Sequence, residues 1–88
     1  MAFTYQAERS LAVTSAGEQL LDVNPSRHLL KLVNTGANPA DISLSGNPAS
    51  GAGSFPLAAG AAWEPQNVPG NAVWAHSTAG TTILFTQG

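Results

Sequence analysis

The stretch TTILFTQ, residues 81–87, alternates between the two faces of an extended chain. Ile83 and Phe85 lie on one face with Thr81, whereas Leu84 lies on the other face between two threonines. A period of two with β-branched and aromatic residues is typical of a β-strand that buries one face. This stretch therefore predicts a strand, and the remaining elements are placed relative to it.

Turn signals recur along the rest of the chain about every eight to twelve residues, which is typical of a β-sandwich or small barrel. Short runs rich in Val, Ile, Leu, Thr, Phe and Trp lie between the turns. The predicted strands are residues 3–7, 10–15, 19–23, 28–34, 40–45, 54–58, 61–65, 72–77 and 81–87. The sequence thus predicts an all-β fold, a single small β-sandwich or jelly-roll-like barrel of about seven to nine short strands.

One segment also fits a helix. Residues 15–18, Ser-Ala-Gly-Glu, match a capping box, and two leucines follow. However, Pro25 ends the segment within about two turns, and Gly17 weakens a helix. We therefore expect a tight turn followed by a strand at residues 19–23.

Two further segments carry specific expectations. Residues 29–33, LLKLV, are apolar on both faces except for Lys31, which is the pattern of a central strand covered on two sides. Residues 46–53, GNPASGAG, are the longest irregular segment, and we expect the most mobile loop there.

The chain length of 88 residues supports one domain with a modest core. The absence of cysteine excludes a disulfide framework and a cysteine-based zinc site, so oligomerisation is the remaining way to gain buried area. We assign residues 10–88 to a single β domain. Residues 1–9, with Phe3 and Tyr5, form either its first strand or an N-terminal arm that pairs with a neighbouring subunit.

Charged residues make up 9% of the chain, against about 25% in an ordinary soluble domain. Such a low charge suits a subunit packed among copies or on a scaffold, although small neutral secreted domains share it. Three basic residues cannot form the stripe that nucleic acid requires. No apolar run approaches the ~20 residues that cross a bilayer, and the N-terminus does not resemble a signal peptide. We expect a protein made in the cytoplasm, with no nucleic-acid or membrane partner.

The residues that catalysis or metal binding would require do not form a pattern. His28 and His76 are the only histidines, and neither has an acidic residue two to four positions away. The Gly-x-Ser-x-Gly motif is missing, and the glycine spacing at residues 46–53 lacks the lysine of a P-loop. We therefore predict no catalytic residues, no metal, no cofactor and no enzymatic activity.

The aromatic residues are the remaining candidates for contact with a partner. Each indole of Trp63 and Trp74 offers a large apolar area and one N–H donor, which suits a core, an interface or a sugar-stacking site. Trp74 lies within a predicted strand, and we expect one of its faces to point inward. Trp63 lies near a strand end, where exposure is favoured, and Phe55 lies beside the glycine-rich loop.

Residues 24–86 carry a pattern of turn and strand residues that resembles small accessory domains of tailed-bacteriophage virions. Its elements are Asn24-Pro25-Ser26-Arg27, Leu30-x-Leu32-Val33-Asn34, Gly36-Ala37-Asn38, Ile42-x-Leu44, Pro56-Leu57-x-x-Gly60, Val73-Trp74-Ala75 and Gly80-Thr81-Thr82. The resemblance implies a β-sandwich or jelly-roll-like module that decorates a capsid or forms part of a head or tail fibre.

From this resemblance we expect a virion protein, a capsid decoration protein that binds a major capsid or other virion protein and forms a homotrimer. Candidate interface residues are Phe3, Tyr5, Phe55, Trp63 and Trp74. Two alternatives remain open: a carbohydrate- or host-binding module that stacks sugars on Phe55, Trp63 and Trp74, and a tail or baseplate subunit.

If residues 1–9 act as an external arm, a chain that lacks residues 2–8 should unfold at nearly the same temperature and assemble less well. Thermal unfolding followed by circular dichroism and sedimentation velocity measure the two effects. A large loss of thermal stability with unchanged assembly would instead identify the segment as an internal strand.

Overall fold

The computed structural model describes residues 9–88, and the predicted strand at residues 3–7 lies outside them. Eight β-strands form the domain, and no α-helix occurs among the described residues. The strands are β1 (Arg9–Val13), β2 (Glu18–Leu21), β3 (Leu30–Asn34), β4 (Ala40–Ser43), β5 (Phe55–Leu57), β6 (Ala62–Trp63), β7 (Val73–His76) and β8 (Thr81–Gln87). Each coincides with one predicted strand, with ends shifted by a few residues.

The strands form two antiparallel sheets of four strands each. One sheet, here called the β8 sheet, has the order β1-β8-β3-β6, and the other, the β7 sheet, has the order β2-β7-β4-β5. Eight strands arranged in two facing sheets with connections that repeatedly change sheet form a jelly roll. The prediction of an all-β sandwich or jelly-roll-like domain is confirmed.

The core lies between the two sheets, and the strands alternate between buried and exposed residues. In β8, Ile83 is fully buried and Phe85 is nearly so, whereas Leu84 between them is half-exposed. This alternation follows from the period of two in a strand that has one face against the core. The buried apolar side chains are Val13, Leu20, Leu21, Leu30, Leu32, Ala40, Ile42, Leu57, Val73, Ala75, Ile83 and Phe85.

Strand β3 differs from its prediction on one face. It lies between β8 and β6, as a central strand should, and Leu30 and Leu32 are fully buried. Lys31 and Val33, on its other face, are only half-buried. The domain has two layers, so nothing among the described residues covers the outer face of β3.

The segment that also fitted a helix forms a turn and the strand β2. Gly17 has φ +79°, a conformation that favours glycine, and its backbone N–H donates to Thr14 O at 3.2 Å. A Cβ at this position would collide with the side chain of Asn47. The turn is thus packed against the loop that contains Asn47.

The glycine-rich segment, residues 46–53, contains a short 3-10 turn at Pro48–Ser50. Asn47 caps this turn, because its Oδ1 accepts from Ala49 N at 2.9 Å. Its Nδ2 donates to Ala16 O at 3.0 Å and joins the loop to the turn before β2. The expected most mobile loop therefore has defined contacts with the rest of the domain.

Asn34, at the end of β3, is a fully buried polar residue with every side-chain group paired. Its Nδ2 donates to Asn38 O at 2.8 Å and to Leu57 O at 3.0 Å. Its Oδ1 accepts from Thr81 Oγ1 at 2.7 Å and from Gly36 N at 3.2 Å. Because Leu57 belongs to the β7 sheet, Asn34 links the two sheets as well as completing its own turn.

Replacing Asn34 with Ala should lower the free energy of unfolding by about 2–4 kcal/mol, because the buried partners at residues 38, 57 and 81 lose their hydrogen bonds. Urea denaturation measures the change. The matched control is Asn67→Ala, an exposed asparagine in a loop, which should change stability by no more than about 0.5 kcal/mol. Equal effects of the two variants would contradict the structural role of Asn34.

Candidate functional site

Two of the aromatic interface candidates contact each other. The ring centroids of Phe55 and Trp63 lie 4.9 Å apart with an interplanar angle of 58°, a tilted arrangement that aromatic pairs favour. Phe55 comes from the edge strand of the β7 sheet and Trp63 from the edge strand of the β8 sheet. Both are half-buried against the core, so the pair closes one side of the sandwich.

Trp74 points in the opposite direction from the one expected. Its neighbours Val73 and Ala75 are fully buried in the core, so the alternation of β7 directs Trp74 to the outer face of the sheet. There it is half-buried and lies opposite Gln19 and Ser43 on the adjacent strands. The inner face of β7 carries Val73 and Ala75, and the indole lies on the outer face.

Trp74 lines an open depression of about 430 Å³, whose other residues come from the loops that follow β2 and β4 and precede β7. The depression includes neither Phe55 nor Trp63, so the three candidate aromatics do not form one platform. Phe3 and Tyr5 lie outside the described residues. The residues around the depression are Val23, Pro25, Leu44, Ser45, Gly46, Gly70, Asn71, Ala72 and Trp74.

Arg27 fixes the loop at residues 69–71, which forms one wall of this depression. The side chain is 4% exposed, and its Nη1 donates to Pro69 O at 2.7 Å and to Asn71 O at 2.9 Å. Nη2 donates to Asp22 O at 2.9 Å, and Nε donates to Gln87 Oε1 at 2.8 Å. These bonds hold three separate segments around one guanidinium.

The guanidinium of Arg27 is buried among neutral acceptors. No described carboxylate lies within salt-bridge distance of it. Burial lowers the pKa of Arg27 from its ordinary value, because loss of water disfavours the charged form. An arginine nonetheless remains charged at neutral pH, so the carbonyl dipoles must stabilise the cation. The guanidinium of Arg27 therefore stabilises the fold through its hydrogen bonds and is not available to bind an anion.

One pair of ionisable side chains lies on the outer face of the β7 sheet. His76 Nδ1 is 3.3 Å from Asp41 Oδ2, which the sequence spacing did not suggest because the two residues meet across neighbouring strands. The His76 side chain is 18% exposed and that of Asp41 44% exposed, so the pair is accessible to solvent. Within residues 9–88 no group of three or more potential metal ligands occurs.

The outer face of the β8 sheet is a second candidate surface, here called the β8 face. Val33 and Leu84 lie at its centre and pair across β3 and β8. Lys31 is the one charged residue in the set, and with Val33, Leu84 and Thr86 it lines a shallow dimple. The β8 face comprises Ser10, Ala12, Lys31, Val33, Ala62, Thr82, Leu84 and Thr86.

Sequence reasoning missed the residues that build the Trp74 depression. Val23 is 63% exposed, the only large apolar side chain so exposed among residues 9–88, and it lies at the rim. Asn71 and Leu44 come from loops far apart in sequence. The Pro69-Gly70 turn predicted only a chain reversal, and nothing in the local pattern indicated which loops would meet.

The described chain contains no helix of the length and apolarity needed to cross a membrane. No protein-family model and no curated protein matches this sequence.

Solved structures with similar folds do occur. A structure of Bacillus endospore appendages, described as disulfide-linked pili, has a TM-score of 0.58 at 15% identity and covers 96% of this chain and 84% of that chain. A de novo designed double-stranded β-helix has a TM-score of 0.57 at 19% identity, covering 93% and 96%. Protein NMB1881 from Neisseria meningitidis has a TM-score of 0.55 at 10% identity, covering 94% and 72%. At these identities the likeness concerns the fold alone.

Replacing Arg27 with Met should lower the free energy of unfolding by about 2–4 kcal/mol, because four hydrogen bonds to a charged donor are lost. The control Arg9→Met removes an exposed arginine whose guanidinium lies 5.9 Å from the Phe85 ring centroid, and it should cost less than about 1 kcal/mol. Urea denaturation of both variants measures the difference. A mild effect of Arg27→Met would show that the loops hold together without it.

Proposed function

We propose that this chain is a non-enzymatic structural subunit of a virion, a decoration protein that packs against copies of itself and against the capsid of a tailed bacteriophage. The observation that carries the proposal is the β8 face, a sheet surface with an apolar centre and one charge. The resemblance of residues 24–86 to virion accessory domains supplies the phage context.

The β8 face suits contact with another protein surface. Val33 and Leu84 are half-exposed at its centre, while Thr82 and Thr86 surround them with neutral hydroxyl groups. Interface cores are depleted in charged residues, and the rim is polar. Exposed ion pairs contribute only about 0–1 kcal/mol each, so a chain with eight charged residues gains little attachment energy from them.

A homotrimer is the assembly that we propose for the free protein. A small domain without disulfides gains stability by burying surface between copies, and association of identical subunits closes into a cyclic oligomer. On a symmetric shell, several weak contacts act together, so the affinity of the whole exceeds that of each contact.

The fold is compatible with a role in a large assembly. A similar fold occurs in the structure of Bacillus endospore appendages, which are described as disulfide-linked pili. The 88 residues of this chain contain no cysteine, so copies of them cannot be joined by disulfide bonds. This support is an analogy at the level of fold and does not identify the particle.

Binding to stripped capsids should be nearly insensitive to salt, because apolar contacts are not screened. The protein is mixed with shells at low salt and at about 0.5 M, where the Debye length falls to about 4 Å, and the bound copies are counted after pelleting. Release by salt alone would show an electrostatic partner and would contradict the proposal.

Two further measurements sharpen this test. Leu84→Arg should weaken self-association and shell binding, whereas Gln19→Arg, on the exposed outer face of the other sheet, should leave both unchanged. Copy number in purified particles separates the sites of attachment. Copies on the order of hundreds indicate capsid decoration, and a dozen or fewer indicate a tail, fibre or baseplate subunit.

A further inference from the structure

The Trp74 depression has the size and lining of a small-molecule site. Its volume of about 430 Å³ lies within the range of about 300–1,000 Å³ that is typical of such sites. The lining is mostly apolar, with an aromatic ring and a few polar groups, which is also typical. None of the nine lining residues is charged, so the site selects for neither an anion nor a cation.

Hydrogen bonds between the walls fix their positions relative to one another before any ligand binds. Asn24 N donates to Gly70 O at 2.8 Å and joins the wall at residues 23–25 to the wall at residues 69–72. Asn71 Nδ2 donates to Leu44 O at 3.1 Å and joins the second wall to the third. Arg27 Nη1 donates to Asn71 O at 2.9 Å and fixes the backbone of the second wall. A preformed site loses less conformational entropy on binding.

The polar groups at the rim indicate the kind of ligand. Asn71 is exposed, and its Nδ2 donates to Leu44 O. This bond fixes the orientation of the carboxamide. The Oδ1 atom points away from the bond and can accept a hydrogen bond. Ser45 lies on the same rim, but its hydroxyl donates to Gly53 O at 3.4 Å, so Asn71 Oδ1 is the acceptor that the ligand would use. An aromatic face beside a fixed amide matches a sugar ring, which has apolar C–H faces and hydroxyl groups at its edge.

We propose that the Trp74 depression binds a neutral saccharide, with the sugar ring stacked on the Trp74 indole and a hydroxyl donating to Asn71 Oδ1. An apolar peptide segment would fit the walls formed by Val23, Pro25 and Leu44. A peptide backbone N–H can also pair with Asn71 Oδ1, so an apolar peptide is the alternative occupant that the titrations below must exclude. The saccharide satisfies both parts of the site.

This binding is independent of the proposed assembly. The depression is lined by Trp74 of the β7 sheet and by neighbouring loops, and it contains none of the residues of the β8 face. A subunit attached through the β8 face can therefore present the Trp74 depression to solvent. Failure of saccharide binding would leave the structural proposal unaffected.

Tryptophan fluorescence provides the test, because the chain contains only two tryptophans. In a Trp63→Phe variant, Trp74 is the sole indole, and its emission is followed during titration with methyl glycosides of glucose, galactose and N-acetylglucosamine. We expect a saturable change with at least one of them and a dissociation constant on the order of millimolar. Glucuronate, which is charged, should give a weaker response or none.

Matched variants assign the response to the site. Asn71→Ala in the Trp63→Phe background should weaken binding about tenfold, whereas Asn67→Ala, another exposed loop asparagine, should not. A Trp74→Phe variant, in which Trp63 is the only indole, should show no change in emission. In the unaltered chain, the indole N–H NMR signal of Trp74 should shift on addition of sugar while that of Trp63 stays in place.

Three results would overturn the proposal. The first is no saturable change in either readout with any neutral glycoside up to its solubility limit. The second is a response that survives Asn71→Ala undiminished or that comes from Trp63. The third is saturable binding of the uncharged peptide Ala-Leu-Pro-Ala without sugar binding, which would identify the depression as a contact site for a polypeptide.

Discussion

The buried polar side chains at the two ends of β8 require hydrogen-bond partners, and much of the domain is arranged to supply them. Thr81 at one end of the strand bonds to Asn34, and Gln87 at the other end bonds to Arg27. A buried amide or guanidinium is tolerated only if its donors and acceptors find partners. Those partners come from loops as well as strands of both sheets, so these hydrogen bonds fix how the loops pack against the sandwich.

The same hydrogen bonds hold the surface loops in fixed positions, although the chain has few charged residues that could form ion pairs. Loops rich in glycine, asparagine and proline would otherwise add little to a core of short apolar strands. Arg27 binds the loop at residues 69–71 and thereby shapes the depression beside Trp74. The β8 face needs no such support, because β3 and β8 are the two inner strands of the sheet and pair with each other. The Trp74 depression therefore depends on the hydrogen bonds of Arg27, whereas the β8 face depends on the pairing of β3 with β8.

The local pattern predicted the strands well and the polar clusters poorly. Alternation at residues 81–87 and regular turns depend on neighbours in sequence, so the fold class followed from them. Trp74 was expected to point inward and instead points outward, because the side of β7 that faces the other sheet, which carries Val73 and Ala75, is set by the topology. The partners of Arg27 lie up to 60 residues away, and no spacing in the sequence indicates that they converge. Phe55 and Trp63 meet because two edge strands come together, which also depends on topology.

The pairing of β1 with β8 also has a kinetic consequence. Arg9 lies opposite Phe85, so the sheet joins strands from the two extremes of the described chain. Loop closure over such a distance has a large entropic cost before native contacts compensate for it, and proteins rich in non-local pairing fold slowly. During synthesis on a ribosome, β1 must remain without its partner until β8 has emerged. The β8 sheet therefore forms only after nearly all of residues 9–88 have been translated. The outer surface that contains Val33 and Leu84 forms at the same stage.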